Sequence, residues 1–108
     1  MPVATETPLQ TSPNDATDLL FANARRGDRA ARETLVVRYM PLARKLARRY
    51  WNSSPSHEDL TQVANLGLVK AVDRFDPDRG RSFEAFAIPT ILGELRRYFR
   101  DSTWAVHV

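Results

Sequence analysis

Hydrophobic residues recur every three or four positions over most of the chain, which predicts a series of amphipathic helices. A first helix, starting at Ser12-Pro13 or at Thr17-Asp18, should end at Gly27, and Asp28 should cap the second. The first helix should run through Leu19, Leu20, Phe21 and Ala24. The inner face of the second should comprise Ala31, Leu35, Val36 and Tyr39, and its apolar stripe continues through Leu42, Leu46 and Tyr50. Pro41 predicts a kink or restart in the second helix. Because alternation of period two never lasts, the predicted class is all-α, a compact bundle of about four to five helices.

A third helix, capped at Ser56, has two distinct faces. Its buried stripe comprises Leu60, Val63, Ala64, Gly67, Leu68, Ala71, Val72 and Phe75. Gly67 costs about 1 kcal/mol relative to Ala in mid-helix, so we expect another helix to approach its backbone. A second stripe, rotated away from the first, comprises Asp59, Gln62, Leu66, Val69 and Asp73. Two aliphatic residues among polar groups favour a docking strip for another helix, the alternative being a face covered by the chain's own fold.

An aromatic helix rich in arginine follows the turn Asp76-Pro77-Asp78-Arg79-Gly80. If Ser82 caps this helix, its buried ladder is Phe83, Ala87, Ile91, Leu95 and Phe99. Phe86 and Thr90 then lie on another face, where a bend at Pro89 should open a concave surface. Exposed rings beside guanidinium groups suit a nucleic acid strand whose bases have left the duplex. The alternative is a core helix with a solvated basic end. No helical period is visible after Asp101.

Length and composition limit the number of domains and the kinds of site that the chain can form. The 108 residues suffice for one domain, predicted over 17–108 after a disordered leader at 1–16, and the chain reads as a fragment of a longer one. There is no cysteine, and His57 and His107 lie far apart, so we expect no structural metal and no cofactor. A reducing cytoplasm is compatible, and no apolar run is long enough to span a membrane.

Charge is unevenly distributed although the net charge is only +3. Residues 1–20 carry three acids and no base, whereas residues 21–50 carry nine bases and two acids. This segregation leans toward a polyanionic partner, although a solvated helical face would also explain it. Asp73, Asp76 and Asp78 could in principle hold Mg²⁺, but cap and turn roles explain them better. No enzyme is predicted.

Several segments resemble region 2 of bacterial RNA polymerase sigma factors of the sigma-70 family, in the branch used for general stress and sporulation. These segments are Asp59-Leu60-Thr61-Gln62, Asn65 to Asp76, Gly80, Phe83, Phe86-Ala87 and Ile88 to Asp101, followed by Trp104. The resemblance covers about residue 17 to the end. It implies binding to the polymerase core, through the clamp helices of the largest subunit, and recognition and melting of the promoter −10 element.

The resemblance also implies roles for individual residues. The polymerase-binding residues it implies are Asp59, Gln62, Asn65, Leu66 and Val69. The DNA-binding residues it implies are Arg79, Arg81, Phe83, Glu84, Phe86, Arg96, Arg97, Arg100 and Trp104. Phe86 occupies the position whose aromatic ring stacks on a flipped non-template adenine. An anti-sigma factor of the kinase-like type is a further implied partner.

Two departures and one alternative function accompany this resemblance. Pro89-Thr90 stands where housekeeping sigma factors carry Trp-Trp, so we expect weaker melting of the upstream edge. The family's linker and its helix-turn-helix for the −35 element are absent from these residues. The alternative function is a helical interaction module, a decoy that binds an anti-sigma factor without reading DNA. A decoy would have no need of Phe86 displayed beside arginines.

Overall fold

The computed structural model describes the backbone of residues 13–53 and 55–107 and the side chains of residues 16–53 and 55–101. These residues form four α-helices and no strand: α1 (Pro13–Arg25), α2 (Arg29–Ala47), α3 (His57–Arg74) and α4 (Phe83–His107). A 3-10 turn, Arg48–Tyr50, follows α2, and another, Pro77–Arg79, precedes α4. The predicted all-α bundle is confirmed. Helix α1 begins four residues inside the predicted leader, whose remainder, 1–12, lies outside the described residues.

Side-chain caps start three of the helices where the sequence predicted them. Asp28 accepts a hydrogen bond from the Ala31 amide at 3.1 Å, and the Ser56 hydroxyl accepts one from the Asp59 amide at 3.1 Å. The Ser82 hydroxyl accepts from the Ala85 amide at 3.1 Å. These caps satisfy amide groups that have no partner inside the helix. They fix the starting points of α2, α3 and α4.

The interior prolines do not divide their helices. Helix α2 continues through Pro41 and α4 through Pro89. Of the two outcomes predicted at Pro41, the restart is therefore wrong, and a kink stays a prediction. Both prolines are exposed to solvent, and buried residues on the opposite face of each helix hold it together. A bend at Pro89 stays a prediction. Helix α4 also extends past Asp101 to His107, although no helical period was expected there.

The core consists of an aromatic cluster at one end and an aliphatic layer beside it. The Phe21 ring centroid lies 4.7 Å from that of Phe75 and 5.0 Å from that of Phe83, and Tyr39 lies 4.5 Å from Phe83. The fully buried aliphatic residues are Leu35, Leu60, Leu68, Ile91 and Leu95. This arrangement holds the turn between α3 and α4 against α1 and α2.

Helices α3 and α4 lie close together at Gly67. A Cβ atom placed on Gly67 would lie 2.8 Å from the Ile91 Cα and 3.3 Å from the Glu94 Cγ. The prediction that another helix approaches this glycine is therefore confirmed. One turn further along α3, the Lys70 ammonium donates to the Glu94 carboxylate at 2.8 Å and ties the same two helices together.

Candidate nucleic-acid cleft and docking strip

A cleft of about 690 Å³ opens where the turn between α3 and α4 meets α1. Its lining residues are Arg25, Arg74, Phe75, Asp76, Arg79, Arg81 and Phe86. Four of these seven residues are arginines and two are phenylalanines. The volume falls within the roughly 300–1,000 Å³ typical of pockets for small ligands. The cleft therefore combines cationic groups and aromatic rings at the size of a nucleotide-binding pocket.

One carboxylate organises part of this cationic lining. Arg25 donates from Nη1 to the Phe75 carbonyl at 3.2 Å and lies 3.8 Å from the Asp76 carboxylate. Arg79 lies 3.8 Å from the other oxygen of Asp76. Among the described side chains, Arg74 and Arg81 form no ion pair. The lining thus keeps a net positive charge, which favours an anionic ligand.

Phe86 sits between the core and the cleft. Its ring centroid lies 5.8 Å from that of Phe75, and its side chain is partly exposed. The Thr90 hydroxyl donates to the Phe86 carbonyl at 3.1 Å, so this predicted neighbour bonds within the helix. Packing on one side fixes the Phe86 ring and leaves part of it open to the cleft.

The assignment of Phe83 to direct DNA contact is wrong. Its side chain is only 4% exposed and is enclosed by the aromatic cluster, because the first turn of α4 packs against α1 and α2. Phe83 instead supports the turn that carries Arg79 and Arg81. Glu84 is exposed but does not line the cleft. Burial raises the pKa of the Tyr39 hydroxyl, and the nearby charge of Glu84 raises it further.

The arginines near the end of α4 form a separate group. Arg96, Arg97 and Arg100 are all exposed, and Arg100 lies 3.4 Å from the Asp101 carboxylate. Arg96 follows Phe86 by ten residues, which places it about 15 Å further along the helix. These arginines therefore do not join the cleft. The side chain of Trp104 lies outside the described residues.

The predicted docking strip on α3 is largely open to solvent. Asp59 and Gln62 are exposed, Leu66 is 50% exposed, and Asn65 and Val69 are partly buried. A shallow groove of about 380 Å³ runs along this strip. Its lining residues are Asp59, Gln62, Val63, Leu66 and Tyr98, the last of which comes from α4. The Asn65 side-chain oxygen is buried and has no hydrogen-bond partner among the described residues.

Asp73, at the end of the predicted strip, is engaged by its own fold. Arg32 on α2 donates to both carboxylate oxygens of Asp73, at 2.7 and 3.0 Å. This hydrogen bonding holds the pKa of Asp73 below its usual range, against a smaller opposing effect of burial. Asp73 thus clamps α2 to α3. The described acids and histidines include no group of three that could hold a metal ion.

Comparison with known proteins identifies the family of the chain that carries this cleft and strip. The model of sigma-70 region 2 matches residues 35–105, which include all of α3 and the whole cleft except Arg25. The chain belongs to the sigma-70 region 2 family. The resemblance seen in the sequence is therefore confirmed.

Similar sigma factors match this region 2 domain over most of its length. The RNA polymerase sigma-B factor of Bacillus subtilis is 54% identical over 81 residues, covering 75% of this chain and 31% of the relative. RNA polymerase sigma factor SigF of Mycobacterium tuberculosis (strain H37Rv) is 49% identical over 77 residues, covering 71% of this chain and 30% of the relative. The chain thus spans less than a third of the length of these relatives. None of the helices in its described part is long and apolar enough to cross a membrane.

Three residues that line the cleft and the docking groove of this sigma region 2 domain were not predicted from the sequence. Arg25 and Arg74 line the cleft, and Tyr98 lines the docking groove. Arg25 belongs to a different helix, fifty residues before Phe75. No local pattern indicates such a distant contact. Tyr98 could have been found by extending the α4 ladder, since it lies one residue before Phe99 and three after the buried Leu95.

Proposed function

We propose that this sigma region 2 domain binds the RNA polymerase core through α3 and captures an unpaired base of the promoter −10 element beside Phe86. One observation carries the proposal: the partly exposed Phe86 ring lines a cleft together with four arginines. A base can stack on the ring while the cations contact phosphates. Flipping a base costs the unstacking energy, which such contacts offset.

The docking strip supports the polymerase-binding half of the proposal. Leu66 is one of few large apolar side chains that are at least half exposed in the described part of the chain. Two polar residues of the same strip are its neighbours, Gln62 one turn before it and Asn65 directly before it. A central apolar contact with a polar rim is the usual anatomy of a protein interface. An exposed helix face of this kind fits a helical partner such as the polymerase clamp.

The alternative, a decoy that binds a regulator without reading DNA, would use the strip but not the cleft. The arginine-lined cleft favours the sigma factor over the decoy, because a decoy gains nothing from cations beside an exposed ring. An anti-sigma factor remains a proposed partner that would compete with polymerase for the exposed surfaces.

Fluorescence anisotropy with single-stranded non-template −10 oligonucleotides at two salt concentrations tests base capture. Phe86→Ala should weaken binding by roughly 5- to 150-fold, since base–aromatic stacking contributes about 1–3 kcal/mol. Phe86→Tyr is the matched control and should keep most of the affinity. Binding that is purely salt-sensitive and independent of sequence would identify a decoy.

Polymerase binding is measured separately, by competition for core enzyme. The double variant Gln62→Ala with Leu66→Ala should weaken core binding and leave oligonucleotide binding intact, whereas Phe86→Ala should do the reverse. Equal loss of both activities in both variants would contradict the division into two surfaces.

A further inference from the structure

A second basic surface lies at the end of α2, outside both sites described above. Its residues are Arg44, Lys45, Arg48 and Arg49, and all four are exposed. The buried residues of the same turns, Ala43, Leu46 and Ala47, face the core. Arg44 and Arg48 are four residues apart, as are Lys45 and Arg49, so the cations form two adjacent rows on the outward side.

These cations have no acidic partner in the described part of the chain. None of the four side chains takes part in a described ion pair, and Arg48 lies over the Trp51 ring at 5.6 Å. Like charges spaced by four residues repel each other. Favourable interaction with the helix dipole is confined to the last turn and does not require four cations. A polyanion would relieve the repulsion.

The position of this basic surface is fixed by its contact with α4. The Tyr50 ring lies 4.9 Å from the Phe99 ring, so the end of α2 is adjacent to the part of α4 that carries Arg96 and Arg100. Phe99 follows Phe86 by thirteen residues, or about 20 Å of helix. A strand stepping about 3.4 Å per nucleotide would cover this distance in roughly six steps. A strand that followed α4 away from the cleft would thus reach the basic surface.

The neighbouring aromatic rings, Tyr50 and Trp51, are partly buried and are engaged with other side chains. Trp51 stacks on His57 with ring centroids 4.2 Å apart and an interplanar angle of 9°. Arg48 lies over the same ring, and Tyr50 packs on Phe99. These contacts occupy the two rings nearest to the basic surface. The surface thus offers phosphate contacts without a stacking platform.

We propose that Arg44, Lys45, Arg48 and Arg49 contact the phosphates of duplex DNA next to the melted segment. The inference rests on the proposed function, because it requires that a strand occupy the cleft beside Phe86. It assigns the end of α2 to duplex phosphates, and it leaves base capture to the cleft.

The test compares two probes: a single-stranded −10 oligonucleotide and a fork in which the same strand continues into a duplex on the side of Phe99. Lys45→Ala with Arg49→Ala avoids the Arg48–Trp51 contact. On the fork, this variant should bind more weakly, and the slope of log affinity against log salt should become shallower by roughly 1.8, about 0.9 for each lost phosphate contact. On the single strand, affinity and slope should not change. Lys45→Arg with Arg49→Lys keeps the charge and should bind the fork like the unmodified protein.

Three results would overturn the inference: an unchanged fork slope, an equal loss on both probes, or a loss confined to binding of polymerase core. The last result would assign the surface to an acidic protein partner instead. Failure of the proposed function would be seen separately, because the unmodified protein would then bind the single-stranded oligonucleotide without sequence preference. Circular dichroism of both double variants should match that of the unmodified protein.

Discussion

Replacing Gly67 by Ala tests whether α3 and α4 are in close contact at this residue. The new Cβ would lie 2.8 Å from the Ile91 Cα, which is a backbone atom and cannot rotate away. Ordinary carbon–carbon contacts are about 3.5–4.0 Å, so the two helices must separate by roughly 1 Å. The Glu94 Cγ, 3.3 Å away, would be displaced as well, together with its ion pair to Lys70.

The same substitution at Gly93 provides the matched control. Gly93 also lies inside a helix, but a Cβ there meets nothing within 4 Å. Each Gly→Ala change gains about 1 kcal/mol of helix propensity. Only Gly67→Ala also suffers overpacking, which typically costs about 1–3 kcal/mol. We therefore expect Gly93→Ala to be about 1 kcal/mol more stable than the unmodified protein, and Gly67→Ala about 1–3 kcal/mol less stable than Gly93→Ala.

Urea unfolding followed by circular dichroism at equal protein concentration measures both free energies of unfolding. The difference between the variants corresponds to roughly 4–8 °C in Tm for each kcal/mol in a domain of this size. If the two variants agree to within about 0.5 kcal/mol, or if Gly67→Ala is the more stable, the helices are not in close contact at Gly67. The reasoning on helix packing would then be refuted.

Three further predictions concern single contacts and use the same urea titration. Lys70→Ala should lower the free energy of unfolding by about 1–3 kcal/mol, because it leaves Glu94, whose side chain is only 14% exposed, without its partner. Lys70→Ala with Glu94→Gln should recover part of this loss, and no recovery would argue against the ion pair. The side chains of Arg32 and Asp73 are each more than 40% exposed, so a double-mutant cycle should give a coupling energy of at most about 1 kcal/mol between them. Since Arg32 lowers the pKa of Asp73 in the folded protein, this coupling energy should be fully present above the ordinary Asp pKa of about 3.9 and should disappear as the pH falls through the pKa of folded Asp73. A coupling energy that grows in acid would contradict the ion pair. Ser82→Ala should cost about 1 kcal/mol and Ser82→Asp much less, whereas equal costs would show that the cap is unimportant.

Local features of this domain were predictable because local chemistry determines them. Asp28, Ser56 and Ser82 each cap the helix that follows, as their residue type and position indicated. Gly27 and Gly80 adopt positive φ angles of 101° and 82°, which glycine tolerates best. The buried stripe of α3 followed from hydrophobic spacing alone. Those signals all lie within a few residues of the feature they specify.

Features that depend on packing between distant segments were not predictable. Pro41 suggested a kink or a restart, and α2 does not restart there because buried neighbours on the opposite face keep it continuous. Phe83 was assigned to DNA although its own ladder indicated burial, and the aromatic cluster decides in favour of the core. Arg25 reaches the cleft from α1, and a one-dimensional pattern does not show which helix it will contact.

Tyr98 gives α4 a place in the docking groove of α3, and Arg97 precedes it directly on a helix that also carries Phe86. A partner bound in the groove would therefore contact α4, the helix that also carries Phe86. Under the proposed function, polymerase and promoter DNA would both contact this helix. Any coupling between their two binding free energies would be reciprocal, so each ligand would change the affinity for the other by the same factor.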